Sequence, residues 1–236
     1  MIEALLLLLS TLPVRAQDLV LTAPLEAAQV APVCAQLAGT VKTVRAQEGQ
    51  TVAAGDTLVC LDDTELRLAA EEYRLAYLRA QRFLDRVQQL QQRSLLSAQE
   101  LEDAQYQAQT AHLRLQRAEL DLSRAVILAP MAGQIADLQI QAGSLTSPRQ
   151  ILAQILAPED LKTILFVPAD QIAALRPDQP VTAWTAAAPA LLPIKGHLTR
   201  ISPLVDPQSG SCRAEALFPG AGRHFKPGTL VQVKLR

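Results

Sequence analysis

The sequence predicts an α+β chain. A β-sandwich is delivered in two halves, an antiparallel α-helical coiled-coil hairpin is inserted between them, and a small β-barrel follows. Three observations predict this. A Gly-punctuated segment occurs twice. The stretch between the copies, from Asp62 to Arg124, contains neither Gly nor Pro. The last third of the chain reads as short strands broken by Pro and Gly.

The repeat comes first, because internal self-similarity decides architecture. Leu37-Ala-Gly39-Thr-Val41, Glu48-Gly49-Gln50 and Thr57-Leu58 align with Met131-Ala-Gly133-Gln-Ile135, Ala142-Gly143-Ser144 and Ile151-Leu152. Gly39 and Gly133 stand 94 residues apart, as do Gly49 and Gly143. Small and polar residues surround Val41, Val44 and Val52, and glycine at fixed points signals turns with positive φ. Gly55-Asp56 is a hairpin-type turn signal. The second copy has Arg149 after Pro148 at that point, so the expectation is a turn of different construction. Two such halves can pair, each covering the apolar face of the other.

The stretch between the copies is rich in Ala, Leu, Gln, Arg and Glu, all strong helix formers. Apolar residues recur at heptad spacing: Leu66, Ala69, Tyr73, Ala76, Ala80, Phe83, Val87 and Leu90, then Leu101, Ala104, Ala108, Ala111, Leu115, Ala118, Leu122 and Ala125. Two unbroken series of this kind predict two coiled-coil helices. Asp62-Asp-Thr-Glu65 reads as a cap for the first. Ser97-Ala-Gln-Glu100 reads as a capping box for the second. The turn therefore falls near Arg93 to Leu96, and a first helix of about 30 residues projects about 45 Å. Such a hairpin is too long to be a globular core; it is a reach device with a contact site at its tip.

Beyond Leu156, strands are expected at Lys162–Val167, Val181–Trp184, Gly196–Ile201, Cys212–Phe218 and Thr229–Leu235, with a short helix over Pro168–Leu175. Five or six short strands in this length suggest a small barrel. At the other end, Leu5 to Leu9 is too short to span a bilayer. With Val14-Arg15-Ala16 it reads as a signal peptide over residues 1–16, although Glu3 stands where a basic residue is usual. A buried apolar strand and a misplaced start codon are the other readings.

Composition narrows the function classes. Hydrophobic residues are 49% and charged residues 19%, enough for a buried core. Aromatics are 3%, poor for stacking on sugars or bases. The net charge of −1 points to no polyanion or nucleic-acid partner. Cys34, Cys60 and Cys212 match no zinc spacing. An oxidising compartment would permit a Cys34–Cys60 disulfide, and three unbonded strand residues are the plainer reading. His112, His197 and His224 are scattered, with His112 expected on a helix surface. Ser209-Gly-Ser-Cys212 lacks the strand–helix context of a nucleophile elbow. No phosphate-cradling glycine loop occurs.

A strand half, a heptad hairpin, the second half and a small barrel, in that order, resemble the membrane fusion, or periplasmic adaptor, family of the HlyD and AcrA type. The resemblance is carried by Gly39-Thr-Val41 with Glu48-Gly49-Gln-Thr-Val52-Ala-Ala-Gly55-Asp-Thr-Leu58, by Leu128-Ala-Pro130-Met-Ala-Gly133-Gln-Ile135, and by Phe225-Lys-Pro-Gly228. It implies a split lipoyl-like sandwich over 33–62 and 126–157, a hairpin over 63–125, a barrel over 158–236, and an N-terminal segment over 17–32. The membrane-proximal domain of longer members is expected to be absent. A lipoyl-like fold also raises a carrier role with a modified lysine. Asp62-Asp63 stand at that turn, and no lysine occurs from Thr43 to Leu161, so no cofactor is expected.

The resemblance further implies a periplasmic, non-enzymatic subunit of a tripartite export system. It would form a homo-oligomeric ring between an inner-membrane transporter, of RND or ABC type, and a TolC-type outer-membrane channel. Members that dock onto such channels carry Arg, three residues, Leu, six residues, Ser, and Arg86, Leu90 and Ser97 match. Leu95 and Leu96 at the turn would add apolar contact. Each has a plainer reading as well: Leu90 as seam, Ser97 as cap, Arg86 as one more solvated charge. The alternative function is a periplasmic coiled-coil scaffold or chaperone without a pump.

Overall fold

The computed structural model describes residues 19–93, 95–185 and 193–235. The expected signal peptide lies outside them. The chain divides into two compact units, one over Gln29–Ala157 and the other formed by residues up to Ala28 together with Pro158–Arg236. The chain passes between the units within β1 (Leu19–Cys34) and β8 (Ile151–Pro168).

The first unit holds the sandwich and the hairpin. Its strands are β2 (Gly39–Val44), β3 (Thr51–Val52), β4 (Thr57–Leu61), β5 (Val126–Leu128), β6 (Gly133–Leu138) and β7 (Leu145–Thr146), with the ends of β1 and β8. One sheet runs β5-β4-β2-β7, and β6 pairs with both β3 and β8. The sequence repeat is a structural repeat down to single hydrogen bonds. Val41 pairs with Leu61 and Thr43 with Cys60, across a register shift. Ile135 pairs with Ile155 and Asp137 with Gln154, across the same shift. The Gly49 N–H donates to the Ile135 carbonyl, and the Gly143 N–H to the Val41 carbonyl, each at 2.8 Å.

The buried set repeats in the same way. Val41 and Ile135, Leu58 and Leu152, Leu61 and Ile155, and Ala35 and Ala129 are matched pairs in one apolar core. Each half thus presents the same face, and the two faces bury each other. One pair differs in chemistry: Val52 in the first half is matched by Thr146. The Thr146 hydroxyl lies 3.0 Å from the Gly39 carbonyl and 3.2 Å from that of Leu37, so its burial leaves no polar group unpaired.

Arg149 corrects the expectation of a different turn. Its φ is 70°, and that of its counterpart Gly55 is 89°. The Ala53 N–H donates to the Asp56 carboxylate at 2.8 Å, and the Ser147 N–H to the Gln150 side-chain carbonyl at 2.9 Å. The second turn has the same backbone, without the glycine.

Between β4 and β5 rises the hairpin, α1 (Thr64–Gln92) and α2 (Ala98–Arg124). The expected seam of α2 holds: Ala104, Ala108, Leu115 and Ala118 are buried. On α1 the seam shifts toward the tip. Val87 is buried as expected, but Tyr77, against His112 of α2, and Leu84 are half-buried where Ala76 and Phe83 are exposed. The sequence periodicity admits both assignments, because Phe83-Leu84 and Ala76-Tyr77 are adjacent apolar pairs. Packing selects the members that meet the alanines. His112 also departs from expectation. Its ring packs edge-on against Tyr77 at 4.9 Å, and its Nδ1 is buried without a hydrogen-bond partner.

At the base of α1, Asp63 occupies the cap position without a side-chain cap bond. Asp62 takes the role instead, accepting from the Thr64 N–H at 3.1 Å and its hydroxyl at 2.7 Å. Asp63 pairs with Arg67 and, at 3.8 Å, with Lys42.

The second unit is a barrel. β9 (Pro180–Trp184), β10 (Ile194–Asp206), β11 (Ser211–Phe218) and β12 (Leu230–Leu235) join β1 and β8 in the order β1-β12-β9-β10-β11-β8, and β1 pairs back onto β8. The sequence reading missed β1, which the barrel needs for closure. The expected short helix is a 3₁₀ helix over Ala169–Ala174. Leu25, Leu161, Val167, Leu198, Phe218 and Val233 fill the interior. The buried Thr163 hydroxyl donates to the Pro24 carbonyl at 2.8 Å, tying β8 to β1.

Candidate functional site: the hairpin tip

The tip is built by two helix ends and a short turn. α1 stops at Gln92, and the N–H groups of Arg93 and Leu95 both donate to the Leu90 carbonyl at 3.1 Å. α2 begins with the capping box expected from the sequence. The Glu100 N–H donates to the Ser97 hydroxyl at 3.3 Å, and the Ser97 N–H donates to the Glu100 carboxylate at 2.8 Å. The Ser97 hydroxyl donates to the same carboxylate oxygen at 2.8 Å. The Ser97 backbone N–H, and then its hydroxyl, hold the Glu100 carboxyl below its ordinary value of 4.5.

These bonds sort the sequence-predicted residues. Ser97 is exposed, and its hydroxyl is committed to the cap. Leu90 is half-buried, one turn above Val87, which is 5% exposed in the seam. Leu96 is half-buried, and Leu95 is 65% exposed. Arg86 is exposed and lies one turn below Leu90 on a neighbouring face of α1. It enters none of the ion pairs formed among the described residues. Arg86 therefore carries uncommitted donors, Leu95 carries uncommitted apolar surface, and Leu90 and Ser97 hold the frame that presents them.

The sequence reading missed a groove on the outer face of α1, lined by Leu75, Leu78, Arg79, Arg82, Phe83 and Arg86. The available signal was the run of arginines at three- and four-residue spacing, which places them on one side of the helix. Among the described residues, no group of three or more His, Cys, Asp or Glu side chains could hold a metal.

A split sandwich interrupted by a long hairpin and accompanied by a β-barrel defines the membrane fusion class of proteins. The chain belongs to this periplasmic adaptor family: residues 29–155 match the CzcB-like barrel-sandwich hybrid domain, and residues 164–236 match the CusB-like beta-barrel domain. Multidrug resistance protein MdtA of Salmonella typhi is 27% identical over 233 residues, covering 89% of this chain and 56% of MdtA. The nickel-cobalt-cadmium resistance protein NccB of Alcaligenes xylosoxydans is 26% identical over 211 residues, covering 83% of this chain and 52% of NccB. The toluene efflux pump periplasmic linker TtgA of Pseudomonas putida is 26% identical over 222 residues, with 88% and 58% covered. The chain thus spans somewhat more than half the length of these relatives.

Among solved structures, a MacA–MexA chimera carrying the Pseudomonas aeruginosa MexA α-hairpin superposes with a TM-score of 0.85 at 16% identity, covering 93% of this chain and 78% of the chimera. The membrane fusion protein Spr0693 of Streptococcus pneumoniae gives 0.76 at 18% identity, covering 92% and 98%. Both likenesses are likenesses of fold.

Proposed function

We propose that the chain is the periplasmic adaptor of an export system, joining an inner-membrane transporter of RND or ABC type to a TolC-type outer-membrane channel. Relatives named as periplasmic linkers of antibiotic and toluene efflux pumps support this reading. The observation that carries it is the hairpin tip. A helix of 29 residues carries Arg86 and the turn residue Leu95 far from the sandwich, at about 1.5 Å per residue, with their binding groups uncommitted.

Arg86 donates hydrogen bonds to carbonyls or carboxylates of the channel's helical ends, a task that suits a planar fork of five N–H groups. Leu95 and Leu96 cover apolar surface beside it, and Leu90 and Ser97 position them. Several copies stand side by side in a homo-oligomeric ring. The contribution of the chain is assembly, and no bond is made or broken on it.

The test is export by cells carrying Arg86→Asp, together with capture of a purified TolC-type channel by the same variant. Export and capture are expected to be lost while far-UV circular dichroism and melting stay unchanged. Normal export by a normally folded Arg86→Asp chain would overturn the tip assignment. Capture of unfolded clients, with no channel bound by the unaltered protein, would favour the scaffold reading.

A further inference from the structure

The groove on the outer face of α1 is polarised along the helix. Its lining residues follow one another from base to tip as Leu75, Leu78, Arg79, Arg82, Phe83 and Arg86. Each apolar member is followed one turn nearer the tip by an arginine: Leu75 by Arg79, Leu78 by Arg82, and Phe83 by Arg86. The end toward the sandwich is therefore apolar, and the end toward the tip is cationic. Leu75, Leu78 and Phe83 are 60%, 43% and 45% exposed. The methylene stems of the arginines extend the apolar floor between them.

The charges of this groove are not spent within the chain. Arg79, Arg82 and Arg86 are exposed, and they enter none of the ion pairs formed among the described residues. Between Leu75 and Arg86 they face a single acid, Asp85, which accepts from the Gln81 side-chain N–H at 3.1 Å. Since no lysine occurs from Thr43 to Leu161, every cation on the hairpin is a guanidinium. Its planar fork takes a carboxylate through two parallel hydrogen bonds, which an ammonium cannot do.

We infer that the groove binds a free single-chain carboxylate, an anionic amphiphile. Its tail lies along Leu75 and Leu78, its upper methylenes lie against Phe83, and Arg82 and Arg86 hold its head group. Charge complementarity selects an anion, and the apolar end selects a tail that points toward the sandwich. Size selects a small molecule. The groove holds about 420 Å³, within the range of about 300–1,000 Å³ typical of small-molecule sites. Its six lining residues compare with about 20–30 on each side of a standard protein interface. Arg86 also carries the channel contact proposed above, so the carboxylate and the channel compete for it. The inference goes beyond the adaptor reading and rests on it only in that competition.

The test is calorimetric titration of the full chain with dodecanoate, kept below its micelle threshold. Saturable binding is expected for dodecanoate, and none of comparable strength for dodecyltrimethylammonium, which has the same tail and the opposite charge. Arg82→Glu is expected to weaken dodecanoate about tenfold or more, as loss of a charge-assisted pair does. Phe83→Ala is expected to weaken it several-fold, and Arg213→Glu, in the barrel unit, to leave it unchanged. Far-UV circular dichroism of Arg82→Glu should match the unaltered chain, since the residue is exposed. Equal binding of the cationic amphiphile, or undiminished binding by a folded Arg82→Glu chain, would overturn the site. So would association with phosphatidylglycerol vesicles but not with free dodecanoate. Saturating dodecanoate is expected to lower capture of a TolC-type channel several-fold in the unaltered chain and to leave capture by Arg82→Glu unchanged. Undiminished capture by the unaltered chain would overturn the competition. Absent dodecanoate binding with capture intact overturns this inference alone, and dodecanoate binding by a chain that captures no channel overturns the adaptor reading alone.

Discussion

Gly55 and Arg149 occupy the same point of the two sandwich halves, and each half ties that point to the other half. The Gly55 N–H donates to the Ala129 carbonyl at 2.9 Å, and the Arg149 N–H to the Ala35 carbonyl at 2.8 Å. Both residues have left-handed backbones, with φ of 89° and 70°. An L-residue pays about 1–2 kcal/mol for that conformation, and glycine does not. Gly55→Ala should therefore lower stability by about 1–2 kcal/mol. Arg149→Gly should change it by less than about 1 kcal/mol, because relief of strain is offset by a more flexible unfolded chain. Urea denaturation of the two variants checks the ranking, and a larger loss from Arg149→Gly would refute it.

The paired glycines Gly39 and Gly133 separate the halves energetically. A methyl group at Gly39 would meet the Leu61 Cδ1 at 3.5 Å, an ordinary contact. At Gly133 it would meet the Leu156 carbonyl oxygen at 2.4 Å and the Ile155 Cγ2 at 2.8 Å. Gly39→Ala should cost less than about 1 kcal/mol, and Gly133→Ala about 2 kcal/mol or more, as forced overpacking does. Thermal melts of both proteins read the difference.

The seam of α1 is tested by adjacent residues. Leu84→Ala removes a side chain that faces α2 and should cost about 2 kcal/mol. Phe83→Ala removes one that is 45% exposed and should cost well under that. If Phe83→Ala is the more damaging in the isolated, dilute protein, the seam runs through Phe83.

Glu100 makes the start of α2 sensitive to acid. Its carboxyl titrates below the ordinary 4.5 because the Ser97 N–H and hydroxyl bond to the charged form. A depressed value means that the contribution is complete above the unfolded value and disappears as pH falls through the folded one. Protection of the tip amides, relative to their intrinsic exchange rates, should therefore fall in acid below pH 4.5, and Glu100→Gln should remove much of that dependence. Ser97→Ala should weaken the cap by about 1 kcal/mol at neutral pH. An unchanged acid profile in Glu100→Gln would show that another group governs the tip.

Much of the fold was legible because its signals are local or repeated. The capping box at Ser97 is a four-residue pattern, and the Gly and Pro boundaries of the hairpin are compositional. The repeat showed that one half should cover the other. The shared turn at Gly55 and Arg149 was hidden because glycine was its only sequence signal, and the second copy holds the same backbone with hydrogen bonds instead. The Asp62-Asp-Thr-Glu65 signal located the cap of α1, but only the structure divides its two carboxylates, Asp62 bonding Thr64 and Asp63 turning to Lys42 and Arg67. Arg86 and Leu95 were identifiable as tip residues by position, whereas Ser97 could not be divided between cap and contact until its hydroxyl was placed.

The sequence by itself determined the order of parts: a divided sandwich, an inserted hairpin with its turn near Leu95, and a strand-rich end. These follow from periodicity, composition and glycine spacing, all of which act within a few residues along the chain. Only the tertiary structure decided which member of Ala76-Tyr77 and of Phe83-Leu84 faces α2, and that β1 closes the barrel against β8. Both are contacts between segments far apart in the chain. The helical period leaves two adjacent apolar residues equally eligible, and a strand's pattern does not name its neighbour. Packing against a particular partner settles both, and it leaves Leu75 and Leu113 exposed.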